Sequence, residues 1–239
     1  MSLKEDILRL KQQTDTLIMA HTYQPPEIIE LADITGDSFA LAKKARDIQQ
    51  KNIILCGVRF MAESIKILAP EKTVILPAPD ATCPMAEQID PMRVKDYKEK
   101  NPNAIVVAYI NTTAALKAEC DVCVTSSSAL TIVDKLDAPE ILFIPDKNLG
   151  GFVKKKLPDK NIVLWDGYCP IHNALTEEDV LQAKKAHPNA LLAMHPECPA
   201  DCVKHADLIG STAEIIRFAK ESDRPVIIGT ERGVADTLI

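Results

Sequence analysis

Segments of this 239-residue chain recur at an interval of 86 to 88 residues. NPNAIVVAYI at 101–110 matches HPNALLAMHP at 187–196. CDVCVTSSSAL at 120–130 matches ADLIGSTAEII at 206–216, and both match ADITGDSFALA at 32–42. TCPMA at 82–86 matches YCPIH at 168–172. A fixed period of this length marks a repeated supersecondary unit. It excludes a (β/α)8 barrel, whose unit is about 30 residues. Three units are expected, at 1–71, 72–159 and 160–239. The first starts late in the repeat and the third stops early. A C-terminal tail beyond Ile239 is therefore expected to complete the first unit.

Each unit carries continuous apolar runs rather than alternating ones. TLIMA (16–20), NIILC (52–56), AIVVAYI (104–110), EILFIP (140–145), ALLAMH (190–195) and PVIIG (225–229) are examples. Such runs read as strands buried on both faces of a parallel sheet. Charged amphipathic stretches lie between them, among them FALAKKARDIQQ and EEDVLQAKKAH. The predicted class is α/β, with three similar three-layer α/β/α units and parallel sheets arranged about a pseudo-threefold axis. Loops after parallel strands lie at their carboxyl ends, where ligands bind. His21, Tyr109 and His195 share one such place in the three units, and Ser38, Ser126 and Thr212 share another. One central site is expected.

Composition narrows the function classes. Hydrophobic residues are 46% and charged residues 26%, which excludes a disordered chain, a fibre or a small disulfide scaffold. A net charge of -6 argues against nucleic acid as a partner. No apolar run nears the roughly 20 residues a membrane span needs. MSLKEDILRLKQQTD has no apolar core like a signal peptide's, so a cytoplasmic location is expected. Seven cysteines there read as thiols or metal ligands.

Two of these cysteines, Cys83 in ATCPMA and Cys169 in GYCPIH, hold equivalent places. Thiolates hold iron–sulfur clusters, and one per unit suits threefold symmetry. The repeat predicts a third near position 255. His172 follows Cys169 by three residues as a ligand neighbour or an acid/base group. Ser38, Ser126, Ser211 and Thr212 sit at helix starts, where hydroxyls cap and free N–H groups accept anions. Cys120, Cys123, Cys198 and Cys202 carry spacings open to a structural zinc site. Asp146 and Lys147 in PDKNLGG suggest a contact or a second polar site. No G-x-G-x-x-G or P-loop pattern occurs.

The motifs AHTYQPPEI, GDS, FMAE, ATCPMA, YINTTAALKA, PDKNLG, YCPIH, HPECP and GST resemble the quinolinate synthase family. The resemblance runs from about residue 5 to the end. It implies three α/β domains about a pseudo-threefold axis and a central 4Fe-4S cluster held by three cysteines. It implies condensation of iminoaspartate with dihydroxyacetone phosphate, losing phosphate and water to give quinolinate for NAD biosynthesis. An enzyme that supplies iminoaspartate is the implied partner.

Carried over by motif, Cys83 and Cys169 look like cluster ligands. His21, Tyr23, Tyr109, His195 and Glu197 look like catalytic positions. His21, Ser38, Tyr109, Asn111, Ser126, His172, His195, Glu197, Ser211 and Thr212 look like substrate-binding positions. The chain departs from the family at Thr22, where Asn is usual, and at Arg59, where an acidic residue is usual. A second reading, from another class, is a non-catalytic binder of small polyanions or a zinc-stabilised scaffold.

Overall fold

A computed structural model describes residues 2–238. Its eleven strands form three separate parallel sheets, one for each stretch of the repeat. The first contains β1 (Thr16–His21), β2 (Ile34–Gly36), β3 (Asn52–Cys56) and β4 (Thr73–Ile75), in the order β2-β1-β3-β4. The second contains β5 (Ala104–Tyr109), β6 (Val122–Val124), β7 (Glu140–Ile144) and β8 (Ile162–Leu164), in the order β6-β5-β7-β8. The third contains β9 (Leu191–Met194), β10 (Leu208–Ile209) and β11 (Val226–Gly229), in the order β10-β9-β11. Every pairing is parallel. The continuous apolar runs explain this. Val106, Val107, Ala108, Ile141, Leu142 and Phe143 are all buried, so both faces of these strands are covered.

The strand order places the reversal in each sheet at its first strand. The second strand lies on one side of it and the third on the other. Crevices for ligands open beyond the carboxyl end of a strand at such a switch point. His21 ends β1 and Tyr109 ends β5, while His195 directly follows β9.

Each of these three strands is also held by the same side-chain clamp. The amide N–H of Ile18 donates to the Asp33 carboxylate at 2.8 Å, and Asp33 N–H returns to Ile18 O at 2.8 Å. Val106 and Asp121 make the same exchange at 2.8 and 3.0 Å. Leu192 and Asp207 make it at 2.8 Å both ways. A lysine reaches each aspartate: Lys11 at 2.8 Å, Lys98 at 2.7 Å and Lys184 at 3.9 Å. The sequence contains this signal in the aligned pairs Ala32-Asp33, Cys120-Asp121 and Ala206-Asp207.

The chain divides into two compact units, Met1–Cys83 and Pro84–Ile239. The first holds the sheet of β1–β4 and the second holds the other two sheets. Among the described residues, no helix is long and apolar enough to cross a membrane.

Candidate active site

In the unit Met1–Cys83, His21 stands at the end of β1. Its Nδ1 accepts the backbone N–H of Tyr23 at 3.2 Å. That leaves the proton of the neutral ring on Nε2. Burial of the ring pushes its pKa down to about 4, against the attraction of Asp37. Tyr23 packs edge-on against the ring, with centroids 4.3 Å apart. His21 is thus a neutral donor with a fixed tautomer. Cys83, at the end of this unit, is half-buried.

The unit Pro84–Ile239 gathers a denser cluster. Glu197 is 3% exposed and lies on the loop after β9. Its Oε2 sits 2.9 Å from His172 Nδ1. Tyr109, from the end of β5, also hydrogen-bonds this carboxylate. The strand ends of two repeats therefore meet on one carboxylate. His195 is 2% exposed and stacks on His172 with ring centroids 5.1 Å apart. Its Nδ1 accepts the Glu197 N–H at 3.4 Å, repeating the arrangement of His21 and Tyr23. Cys169 Sγ lies 3.2 Å from His172 Nδ1. The far nitrogen of His172 is 2.8 Å from Thr230 Oγ1. His172 and Thr230 also line a cavity of about 310 Å³ walled by Ile171, Leu175 and Ile228.

The charges follow from this geometry. Burial alone would drive His172 down. Its bonds and attraction to Cys169 and Glu197 outweigh burial and raise its pKa to about 10. Burial likewise opposes charge on Glu197, yet His195, His172 and Tyr109 together hold its pKa down to about 2. Burial lowers His195 to about 4, so the cation beside Glu197 is His172. Near neutral pH the cluster carries one carboxylate, one imidazolium and one neutral imidazole.

The loop bearing Cys169 is held from two sides. Asp146 is fully buried, and its Oδ1 accepts Leu149 N–H at 2.7 Å, capping the helix Lys147–Lys156. Its Oδ2 accepts Cys169 N–H at 3.0 Å. Burial and the nearby Glu197 charge raise the Asp146 pKa to about 7. Gln88 brackets Tyr168, accepting its N–H at 3.0 Å and donating to its carbonyl at 2.8 Å. Gly167 packs so closely on the Pro145 carbonyl that a Cβ there would collide with it. Two residues on from Asp146, Asn148 donates to the Glu197 carbonyl at 2.9 Å. The segment Asp146–Asn148 thus ties the Cys169 loop to the Glu197 loop. Asp146 makes the contact expected of the PDKNLGG segment. Lys147 is a surface residue, paired with Asp166 at 2.8 Å and lying over the Tyr168 ring.

Of the predicted helix-start hydroxyls, Ser211 is itself a cap, whereas Asp37 rather than Ser38 and Ser128 rather than Ser126 hold the N-cap positions. Asp37 accepts Ala40 N–H at 2.8 Å, and Ser38 is the first helical residue. Thr125 and Ser128 cap each other reciprocally at 2.9 and 3.2 Å, with Ser126 between them. Ser211 caps the helix Thr212–Glu221 through a capping box with Glu214. The Ser211 hydroxyl donates to Glu214 at 2.7 Å, so it is engaged within its own helix. Ser38 and Thr212 are first helical residues, and Ser126 lies in the turn that leads into the helix Ala129–Lys135. Asn111 lies in the turn after β5, which Lys117 Nζ fastens by donating to the carbonyls of Ile110, at 2.8 Å, and Thr112.

The four cysteines with spacings open to a zinc site, Cys120, Cys123, Cys198 and Cys202, do not gather into one group. Cys198 and Cys202 belong to an apolar core with Val180, Leu192 and Met194. Cys120 packs on a different core and donates to Leu116 O at 3.0 Å. Burial pushes Cys120 and Cys198 up to about 12, which keeps them as thiols. Among the described residues, one group of three or more ligand-type side chains converges, Cys169, His172 and Glu197.

Buried acid and base groups on the loops beyond parallel strands, at switch points of the sheets, define an enzyme of the α/β class. Comparison with known proteins gives the particular family. Residues 5–239 match the family model described as Quinolinate synthetase A protein. The chain is 48% identical to a quinolinate synthase of Clostridioides difficile (strain 630) over 237 residues, 99% of this chain and 78% of the relative. A quinolinate synthase of Caldicellulosiruptor saccharolyticus is 50% identical, and one of Methanoregula boonei is 45% identical, with the same coverage. The chain belongs to the Quinolinate synthetase A protein family.

Proposed function

We propose that this protein condenses iminoaspartate with dihydroxyacetone phosphate, releasing phosphate and water to give quinolinate for NAD biosynthesis in the cytoplasm. The observation that carries the reading is the Tyr109–Glu197–His172 cluster, in a chain of this family. Cys83 and Cys169 are the proposed thiolate ligands of a 4Fe-4S cluster, with a third expected near position 255 from the repeat. The donor chemistry of Cys169 fits that role. It is a free, half-buried thiol on a loop pinned by Asp146, with a histidine N–H at 3.2 Å available to a sulfur. When bound, the cluster supplies an open iron as a Lewis acid for a substrate hydroxyl or carboxylate.

The chain's own residues handle protons and anions. His172 is a cation at neutral pH and can donate Nδ1–H. Glu197 takes that proton back, and Tyr109 steadies its charge. His195 and His21 both have Nδ1 occupied as an acceptor, so each offers Nε2–H as a hydrogen bond to a carbonyl or carboxylate oxygen. Tyr23 beside His21 is a second proton carrier. The places of Ser38, Ser126 and Thr212, at or just before helix starts, suit carboxylate and phosphate oxygens. Asn111 adds a donor after β5. Three similar units about a pseudo-threefold axis, bounded near 71 and 159, would bring these loops to one site. The recurring strand order and aspartate clamp support that arrangement. The natural partner is an enzyme that oxidises aspartate to iminoaspartate.

Anaerobic reconstitution with iron and sulfide, followed by an assay for quinolinate from the two substrates, tests the reading. A brown protein with about four irons per cluster and measurable turnover is expected. Glu197→Gln should lower kcat by about 100-fold or more while keeping the cluster colour. A reconstituted protein that carries the cluster and forms no quinolinate would overturn the proposal.

A further inference from the structure

Cys169 Sγ, His172 Nδ1 and a Glu197 carboxylate oxygen lie within 4.8 Å of one another. Two of the separations are 3.2 Å, sulfur to nitrogen, and 2.9 Å, nitrogen to oxygen. In a tetrahedral zinc site, bond lengths of about 2.3 Å to sulfur and about 2.0 Å to nitrogen or oxygen set ligand atoms roughly 3.3–3.5 Å apart. The two short separations need open by only a few tenths of an ångström to become ligand spacings, and the sulfur and the carboxylate oxygen already lie within 4.8 Å of each other. A fourth position remains for water, as in zinc sites that keep an open coordination place.

The supports around the triad are those a metal site needs. His172 Nε2 is held at 2.8 Å by Thr230 Oγ1, which turns Nδ1 toward Cys169 and Glu197. Asp146 holds the Cys169 backbone at 3.0 Å, and Asn148 holds the Glu197 backbone at 2.9 Å. His172 is 7% and Glu197 3% exposed, so their donor atoms already stand out of bulk water and bind against little competing solvation.

We propose that, in the absence of the iron–sulfur cluster, Cys169, His172 and Glu197 bind a single divalent ion of the zinc class. The protons held among these atoms leave to solvent as the ion enters. The ion and the cluster exclude each other, because both require the Cys169 sulfur. Zinc would thereby hold the protein in a form that cannot be loaded with its cluster. This last consequence rests on the cluster reading above; the ion site does not.

Cluster-free protein, prepared with a chelator and kept anaerobic, is titrated with Co²⁺ and then with Zn²⁺. One equivalent of Co²⁺ should bind, with a thiolate charge-transfer band and strong visible bands of tetrahedral cobalt, and one equivalent of Zn²⁺ should abolish them. X-ray absorption of the zinc form should give one sulfur and two or three nitrogen or oxygen neighbours. Cys169→Ser should remove the charge-transfer band. His172→Ala and Glu197→Gln should each weaken binding tenfold or more, while Cys83→Ser leaves it unchanged. Circular dichroism identifies any variant that fails to fold; the wild-type stoichiometry and absorption data then decide. No saturable uptake, two or more sulfur neighbours, or loss of the site in Cys83→Ser would each overturn the proposal. Protein preloaded with zinc should stay colourless on cluster reconstitution, and a normal brown yield would overturn the exclusion.

Discussion

Glu197 shows what one buried charge demands of its surroundings. It is ionised at 3% exposure because His172 is cationic beside it and Tyr109 donates to it. Removing one partner of such a pair strands the other charge, at about 3–5 kcal/mol. His172→Gln keeps a hydrogen-bond donor but not the charge, so a loss nearer about 3 kcal/mol is expected by urea unfolding near pH 6. The pH dependence has a definite sign. The His172 pKa is raised from 6.5 to about 10 in the folded protein. Its contribution is fully present below pH 6.5 and drains away as pH rises through about 10. Glu197 is lowered from 4.5 to about 2, so its share is present above pH 4.5 and fails as pH falls through about 2. The stability gap between the wild type and His172→Gln should therefore narrow steadily from about pH 6.5 to about pH 10. A gap that stays constant over that range would show that His172 acts by packing rather than charge.

At the scale of elements, local contacts fix the frame and longer ones fix the site. Asp121 accepts Val106 N–H and sits at the turn into β6. Asp121→Ala should cost about 1–2 kcal/mol, the lower part of the range for a bond to a charged group, since the carboxylate is partly open to water. Asp146 works differently, because it joins a helix start to a distant loop. Asp146→Ala leaves the amides of Leu149 and Cys169 without their acceptor, at about 1–3 kcal/mol each if they stay buried. The Cys169 loop should loosen, and its thiol should react with an alkylating reagent about tenfold faster while the far-UV spectrum is unchanged. An unchanged rate would mean that Gln88 alone holds the loop. The longer strands and the matching hydroxyl positions were legible from apolar runs and the repeat, while the short strands β2, β6 and β10 have too few apolar residues to read as runs. Ser211 was legible as a cap, but Asp37 and Ser128 were not, because Ser, Thr and Asp are all good caps and only backbone dihedrals decide among neighbours. The meeting of Tyr109 with Glu197, and the partners of Asp146, could not be read. Both join segments tens of residues apart, and periodicity carries no information about such packing.

For the molecule as a whole, the aspartate clamps have a consequence for how the chain finds its fold. Each clamp closes between residues 15 apart in sequence: Ile18 with Asp33, Val106 with Asp121, Leu192 with Asp207. Closing so short a segment costs little chain entropy, so the central strand of each sheet can be registered by its own neighbourhood. Native-state hydrogen exchange should therefore find the amides of Ile18, Val106 and Leu192 among the slowest in their sheets. As denaturant is raised they should open as separate cooperative blocks. One shared opening isotherm for all three would contradict this. A chain assembled in this way carries three internal timers. Each stretch leaving the ribosome can commit to its own sheet before the next stretch has emerged.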